Sequence, residues 1–367
     1  MNTTKLLTPL TEVHEQAGAR MVDFAGWKMP LQYTGVREEH DACRAHAGLF
    51  DLTHMAEIIV SGPQREEFVQ RMVTNDLSRL ALGGAMYSCL CNQQARIIDD
   101  LLAYRFENEV WIVANASNRS DVWDWLNKYA KDFDVTLEDK TESLSLIAIQ
   151  GPQAEPILQK LTEMDLSSLD FYTARRGKVE GHEMLISRTG YTGEDGFELY
   201  VENQHAVEIW QALVRADPKV TPVGLAARDT LRLESGFALY GNELSLERTP
   251  YDVSLAWVTK LDKEPAPLVV EALRKAKESA TTCLVGLTME GRGVPRTGYE
   301  VHQNGTLVGE VTSGTFSPSL KKGVALAIVE RSVRAAGTEL EIVVRGKPQA
   351  ATVTKLPFVR GSVKRHS

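Results

Sequence analysis

Residues 188–200 read RTGYTGEDGFELY, thirteen positions that hold three glycines, three acids and two tyrosines. Glycine reaches φ > 0 at little cost, so YTGEDG reads as a bend and FELYV as the strand that leaves it. Neighbouring side chains on a strand face opposite sides. If Phe197 and Leu199 point into a core, Glu198 shares the other face with Tyr200. The bend lies late in a cycle that starts at LSLIAIQGP and runs through a helix at 152–162, the strand HEMLISR, the bend, the strand FELYV and a helix at 204–215. An earlier cycle over 56–150 alternates the strands AEIIVSG, AMYSCLCN, LLAYRF and EVWIVAN with helices at 64–73 and 117–130. The pattern predicts two similar α+β lobes of mainly antiparallel sheet, duplicated or interleaved. No GxGxxG or GxxxxGK[ST] phosphate loop is present, which removes the two commonest nucleotide-binding classes.

Towards the N-terminus, a helix is expected at 5–18, followed by strand and turn through MVDFAGWKMPLQY and by helix again from 35 until Gly48. His40 and His46 are six apart and do not share a helix face, which argues against a metal site there. Towards the C-terminus, a helix is expected over 224–235 and a connector with a charged helix over 262–280. Short strands broken by turn signals follow, with Asn304-Gly305 a strong hairpin signal, and they predict a small all-β C-terminal domain.

With 367 residues the chain exceeds one ordinary core, and at 43% hydrophobic and 25% charged it has the composition of a globular protein. A net charge of −8 argues against a protein built to grip phosphate backbones, so no nucleic-acid partner is expected. Arg345, Lys347, Lys355, Arg360, Lys364 and Arg365 nevertheless make the final stretch basic. Four cysteines without a paired CxxC arrangement read as reduced thiols, and Cys89 and Cys91 fall on one face of a strand, where packing is the simplest role. There is no secretory h-region and no apolar run of spanning length, so a cytoplasmic location away from membranes is the default.

Four segments place polar residues where a plain core has no use for them. In IIDDLLAYR one of Asp99 and Asp100 must point inward, and a buried carboxylate finds donors or a cation, or takes up a proton. The bend and strand at 188–200 offer Glu198. The helix LAARDTLRLES aligns Arg228, Arg232 and Ser235, with Asp229 displaced. The segment TSGTFSPSLKKGVALAIV reads as a loop, carrying Lys321 and Lys322, that feeds a buried strand. Carboxylates near strand ends beside an arginine helix suit a planar, polar ligand with a carboxylate tail.

Taken together and in order, DFAGWKMP, GLFDLTHM, IIDDL, AIQGP, GYTGEDGFE, GLAARDTLRLE, LYGNEL and TSGTFSPSLKKGVALAIV resemble the glycine cleavage T-protein family over 5–360. The resemblance implies two interleaved α+β lobes around a folate cavity over 1–278 and a C-terminal β-barrel over 279–367, in a cloverleaf arrangement. It implies an aminomethyltransferase that moves the aminomethyl carbon from lipoylated H-protein to tetrahydrofolate, releases ammonia and forms 5,10-methylenetetrahydrofolate. No metal is expected, and nothing in the sequence demands more than a monomer. By position, Asp100 matches the family's essential carboxylate, Glu198 its pterin-binding acid and Arg228 its folate-binding arginine. The same fold serves tetrahydrofolate-dependent demethylases, and non-catalytic folate binders that carry a Lys-Gly-Cys motif absent from RTGYTGEDG. The chain departs from the family in having Ala95-Arg96 where Gly-Gly is usual, and no tyrosine in LPFVRGSVKRHS.

Overall fold

Strand Gly48–Asp51 pairs with Leu144–Gln150, nearly a hundred residues later, and the chain between them builds a different sheet. That exchange interleaves the two lobes of the computed structural model, which describes residues 5–364. The intervening sheet runs Ala85–Cys91, Ile97–Arg105, Glu109–Ala114, Ala56–Ser61, Thr136–Asp139, all antiparallel. The other runs Ala174–Val179, His182–Ser187, Gly196–Glu202, Leu144–Gln150, Gly48–Asp51, with the short Thr221–Pro222 added in parallel at its edge. A three-stranded sheet from residues 6–32 completes the N-terminal part.

Alternation along the strands decides which face meets which core. Phe197, Leu199 and Val201 pack with Ile147, Ile149 and Trp210 under the helix Ala206–Ala216, whereas Tyr200 packs between the lobes with Tyr104, Trp111 and Phe50. Cys89 and Cys91 are buried together against Tyr251, Val258 and Leu273, as their shared face predicts. Beyond helix Val270–Ser279, six strands from Thr282 to Thr354 close into a barrel. Its Asn304-Gly305 turn has φ of 52° and 78°, the left-handed pair a tight hairpin requires.

Three sequence expectations change. The helix expected at 5–18 is confined to Thr11–Gln16, because Leu6–Leu7 pairs in parallel with Trp27–Lys28 and is held extended. The helix expected at 152–162 is an α-helix only over Ala154–Leu158 and ends as one 3₁₀ turn, Gln159–Leu161. The supposed loop TSGTFSPSLKK is mostly ladder: Thr306–Ser317 is a strand, paired to Lys322–Glu330 across a turn that exposes Lys321. Ala95, where the family's glycine is usual, adopts φ 59° and is fully buried, so the tight turn ahead of the acidic pair is kept with alanine in a left-handed conformation.

Candidate active site

The hairpin Ala85–Cys91/Ile97–Arg105 carries Asp99 and Asp100 to opposite faces of its sheet. Asp99 is fully buried and accepts from the backbone N–H of Asn115 at 2.8 Å, from the Asn115 side-chain amide at 2.8 Å and from that of Asn118 at 2.5 Å. Asp100 faces a cavity. It accepts from the Tyr87 hydroxyl at 2.8 Å and from the Asn115 amide at 2.9 Å. One amide thus bridges both carboxylates. Burial raises the Asp100 carboxyl to about 6, against the opposing pull of the Tyr87 and Asn115 hydrogen bonds. Burial and the neighbouring Asp100 charge push Asp99 up as well.

Glu198 reaches the same cavity from strand Gly196–Glu202, and the bend before it is built to hold it there. Arg188 is buried and binds Asp195 through two nitrogens, at 3.0 and 2.6 Å, while also reaching Glu155 and the carbonyls of Leu166 and Leu169. Glu194 pairs with Arg44 at 2.8 Å. Those two acids of the bend are therefore structural. The third, Glu198, accepts from the Thr189 hydroxyl, and its other oxygen has no partner among the described residues. Burial raises its carboxyl, with Thr189 and the Arg228 charge pulling the other way. Gly190 is needed for close approach, since a Cβ there would stand 1.9 Å from the Gln150 amide oxygen.

Arg228 projects from helix Leu225–Glu234 into the cavity. Its guanidinium lies 4.7 Å from the centre of the Tyr191 ring and has no hydrogen-bond or ion-pair partner among the described residues. Burial lowers its pKa, an expense that an anionic or carbonyl ligand would offset. Arg232, expected on the same face, does a different job: it is buried, paired to Asp229 at 2.8 Å and Glu243 at 3.1 Å, and donates to Ser313 of the barrel. Asp229 is displaced from that face as expected, yet its carboxylate serves Arg232.

The structure thus brings Asp100, Glu198 and Arg228 to one cavity of about 170 Å³. Sequence reasoning missed several of its walls. Tyr87, Asn115 and Tyr191 carry no local signal, and His54 enters only within the motif GLFDLTHM. His54 is 3% exposed, its Nδ1 has no partner among the described residues, and burial with the Arg228 charge lowers it to about 4, so it faces the cavity neutral. A second chamber of about 280 Å³ shares Tyr87, Tyr172, Gly190, Tyr191 and Ala238 with the first. Stacked pairs frame it, Tyr87 on Trp257 at 6.1 Å and Tyr191 on Phe237 at 5.5 Å, and Trp257 is 61% exposed at its rim. The two chambers share an aromatic wall of Tyr87, Tyr172 and Tyr191, with Trp257 at the rim of one and Asp100, Glu198 and Arg228 lining the other.

Two interleaved lobes, a C-terminal barrel and a polar-ended cavity between them define the class, that of the two-part GCVT proteins. The model of the GCVT N-terminal domain matches residues 10–263, and that of the glycine cleavage T-protein C-terminal barrel domain matches 283–360. Aminomethyltransferases from Thermotoga maritima and Desulforamulus reducens are 46% and 48% identical over 362 and 360 residues, covering 98% and 97% of this chain and 99% and 98% of theirs. The crystal structure of glycine cleavage system aminomethyltransferase T from Bartonella henselae superposes with a TM-score of 0.91 at 38% identity, covering 98% of this chain and 99% of that one. The chain belongs to the glycine cleavage T-protein family.

Proposed function

We propose that this protein is the tetrahydrofolate-dependent aminomethyltransferase of the glycine cleavage system, taking the aminomethyl carbon from the lipoyl arm of H-protein and releasing ammonia and 5,10-methylenetetrahydrofolate. The observation that carries the reading is the convergence of Asp100, Glu198 and Arg228 on one cavity, each with bonding capacity to spare. A reduced pterin fits that donor set: its amide and amino N–H groups suit the Glu198 carboxylate, and its oxygen suits the Arg228 guanidinium. The second chamber offers aromatic walls along which the rest of the folate extends. Tetrahydrofolate, when bound, supplies the nitrogen nucleophiles that accept the carbon.

The residues supply proton control and positioning. The donor's ammonium must lose a proton before its lone pair helps to expel the lipoyl thiolate, and positive charge then grows on the carbon being transferred. Asp100, a carboxylate above pH of about 6, assists that proton transfer and its negative charge stabilises the growing cation, while Tyr87 and Asn115 fix its two oxygens. Apolar walls from Leu102, Val113 and Leu239 exclude water that would otherwise capture the carbon.

A single-turnover comparison of wild type and Asp100→Asn with aminomethyl-loaded H-protein tests this, reading methylenetetrahydrofolate and ammonia together. Transfer by the variant is expected to fall by roughly 10²–10⁴, the usual contribution of a positioned acid–base group, with folate binding retained. Near-normal transfer by the variant removes Asp100 from the role. Folate binding by the wild type without ammonia release removes the aminomethyl donor.

A further inference from the structure

We propose that His182, His205 and Glu208 form a surface site for a divalent transition-metal ion of the zinc type, apart from the folate cavity. One ligand atom from each residue lies within 4.8 Å of the other two. His182 opens strand His182–Ser187 directly after the Glu180-Gly181 turn, whose φ values of 51° and 83° set where the strand begins. His205 precedes helix Ala206–Ala216, and Glu208 stands in its first turn. The site therefore joins a hairpin of the six-stranded sheet to the helix packed on that sheet.

Two contacts show the side chains already turned towards one another. His182 Nε2 lies 2.9 Å from a Glu208 carboxylate oxygen, and the two imidazoles stack with centroids 3.9 Å apart and planes at 25°. Two imidazole nitrogens and one carboxylate oxygen are a donor set that zinc accepts, at about 2.0–2.2 Å each, which places ligand atoms about 3.4 Å apart on a tetrahedral ion. His182, His205 and Glu208 are partly or fully exposed, so the change that coordination asks for is side-chain rotation, the stacked imidazoles turning their nitrogens to one point. Ala206, Ile209, Trp210 and Leu213 of the same helix are buried in the lobe core, so the helix presents Glu208 to the hairpin from a fixed position. Three protein ligands leave one position open to solvent or to a further donor. None of the three residues lines the cavity that holds Asp100, so the site is independent of the transfer reaction.

Calorimetric titration of the chelator-treated full chain with ZnCl₂ tests the site, with Co²⁺ absorption as a second readout. One zinc ion per chain is expected, with affinity reduced by roughly 10–100-fold or more in both His205→Ala and His182→Ala, and a visible Co²⁺ band that both variants lose. Thermal melts of the metal-free variants establish that each is folded. Absence of binding by the wild type, or binding that both folded variants retain, overturns the proposal.

Discussion

Asp99 and Asp100 are adjacent in the chain and opposite in duty. Strand alternation made it legible that one of them points inward, but not which one meets a ligand, because that depends on what covers each face. Asp99 is enclosed by amide donors of Asn115 and Asn118; Asp100 is enclosed by a cavity. Its carboxyl at about 6 carries two consequences. The transfer rate of the folate complex should fall on the acid side with an apparent pKa near 6, and Asp100→Asn should lack that limb; a wild-type profile flat down to pH 5 contradicts the assignment. The stability consequence has a fixed sign. A carboxyl raised in the folded state stabilises fully below its unfolded value and loses that contribution as pH rises through the folded value, here between about 4 and 6. The loss is at most about 3 kcal/mol. Denaturant titrations of wild type and Asp100→Asn at several pH values should therefore converge in acid and diverge towards neutrality, with the variant the more stable. Glu198 was the more legible residue, since alternation with Phe197 and Leu199 alone sets its face. Tyr87, Asn115 and His54 reach Asp100 or Arg228 only through sheet register and lobe packing, which no local pattern encodes.

Among the elements, the bend at 188–195 and the C-terminal segment act together. Gly193 takes φ 79° beneath Ser235, and the segment after Thr354 closes over it: Ser362 binds Glu194 by backbone at 2.9 Å and by hydroxyl at 2.5 Å, its hydroxyl accepts from the Asp195 N–H at 3.1 Å, and Lys364 pairs with Glu155 at 2.7 Å. Lys364 of the basic stretch is thus turned onto the protein's own acids; Arg365 lies outside the described residues. A Cβ on Gly361 would stand 2.1 Å from the Gly193 carbonyl oxygen, so Gly361→Val must lift the segment. Limited proteolysis should then cut beyond Lys355 at least tenfold faster, and KM for folate should rise more than kcat falls, because the bend positions Glu198 and Tyr191. Unchanged cleavage would show that the segment does not strap the bend. The helices and strands themselves were largely legible from periodicity and turn residues. The misread stretch 312–317 carries glycine and serine, which suit a loop until a barrel partner supplies the ladder.

For the whole molecule, Glu234 is the joint between lobes and barrel. Its carboxylate accepts from Ser317 and Ser319 of the barrel and meets Arg44 at 3.1 Å and His40 at 3.2 Å from the N-terminal part. Burial pushes its carboxyl up, but His40 and the two serine hydroxyls outweigh that and hold it down to about 2. A depressed carboxyl contributes stability above its unfolded value, about 4.5, and loses it as pH falls through about 2; the shift corresponds to about 3 kcal/mol. Glu234→Gln should lose that amount at neutral pH in chemical denaturation and show a shallower acid transition, whereas wild-type stability in the variant would place the joint elsewhere. We also propose that the exposed Lys321, Lys322, Arg345, Lys347, Lys355 and Arg360 steer H-protein; KM for H-protein should then rise several-fold between low and physiological salt, and a salt-independent KM excludes it. The chain by itself determined the α+β lobes, the barrel, the family and the three cavity residues matched by position, because periodicity, turn chemistry and ordered motifs are local properties of the string. Only the tertiary structure decided what the remaining charges do, Asp195 with Arg188, Glu194 with Arg44 and Arg232 with Glu243, and that Tyr87 and Asn115 hold Asp100. Those outcomes follow from the desolvation and pairing of charges, which are set by what packs against a side chain and not by the residues beside it in sequence.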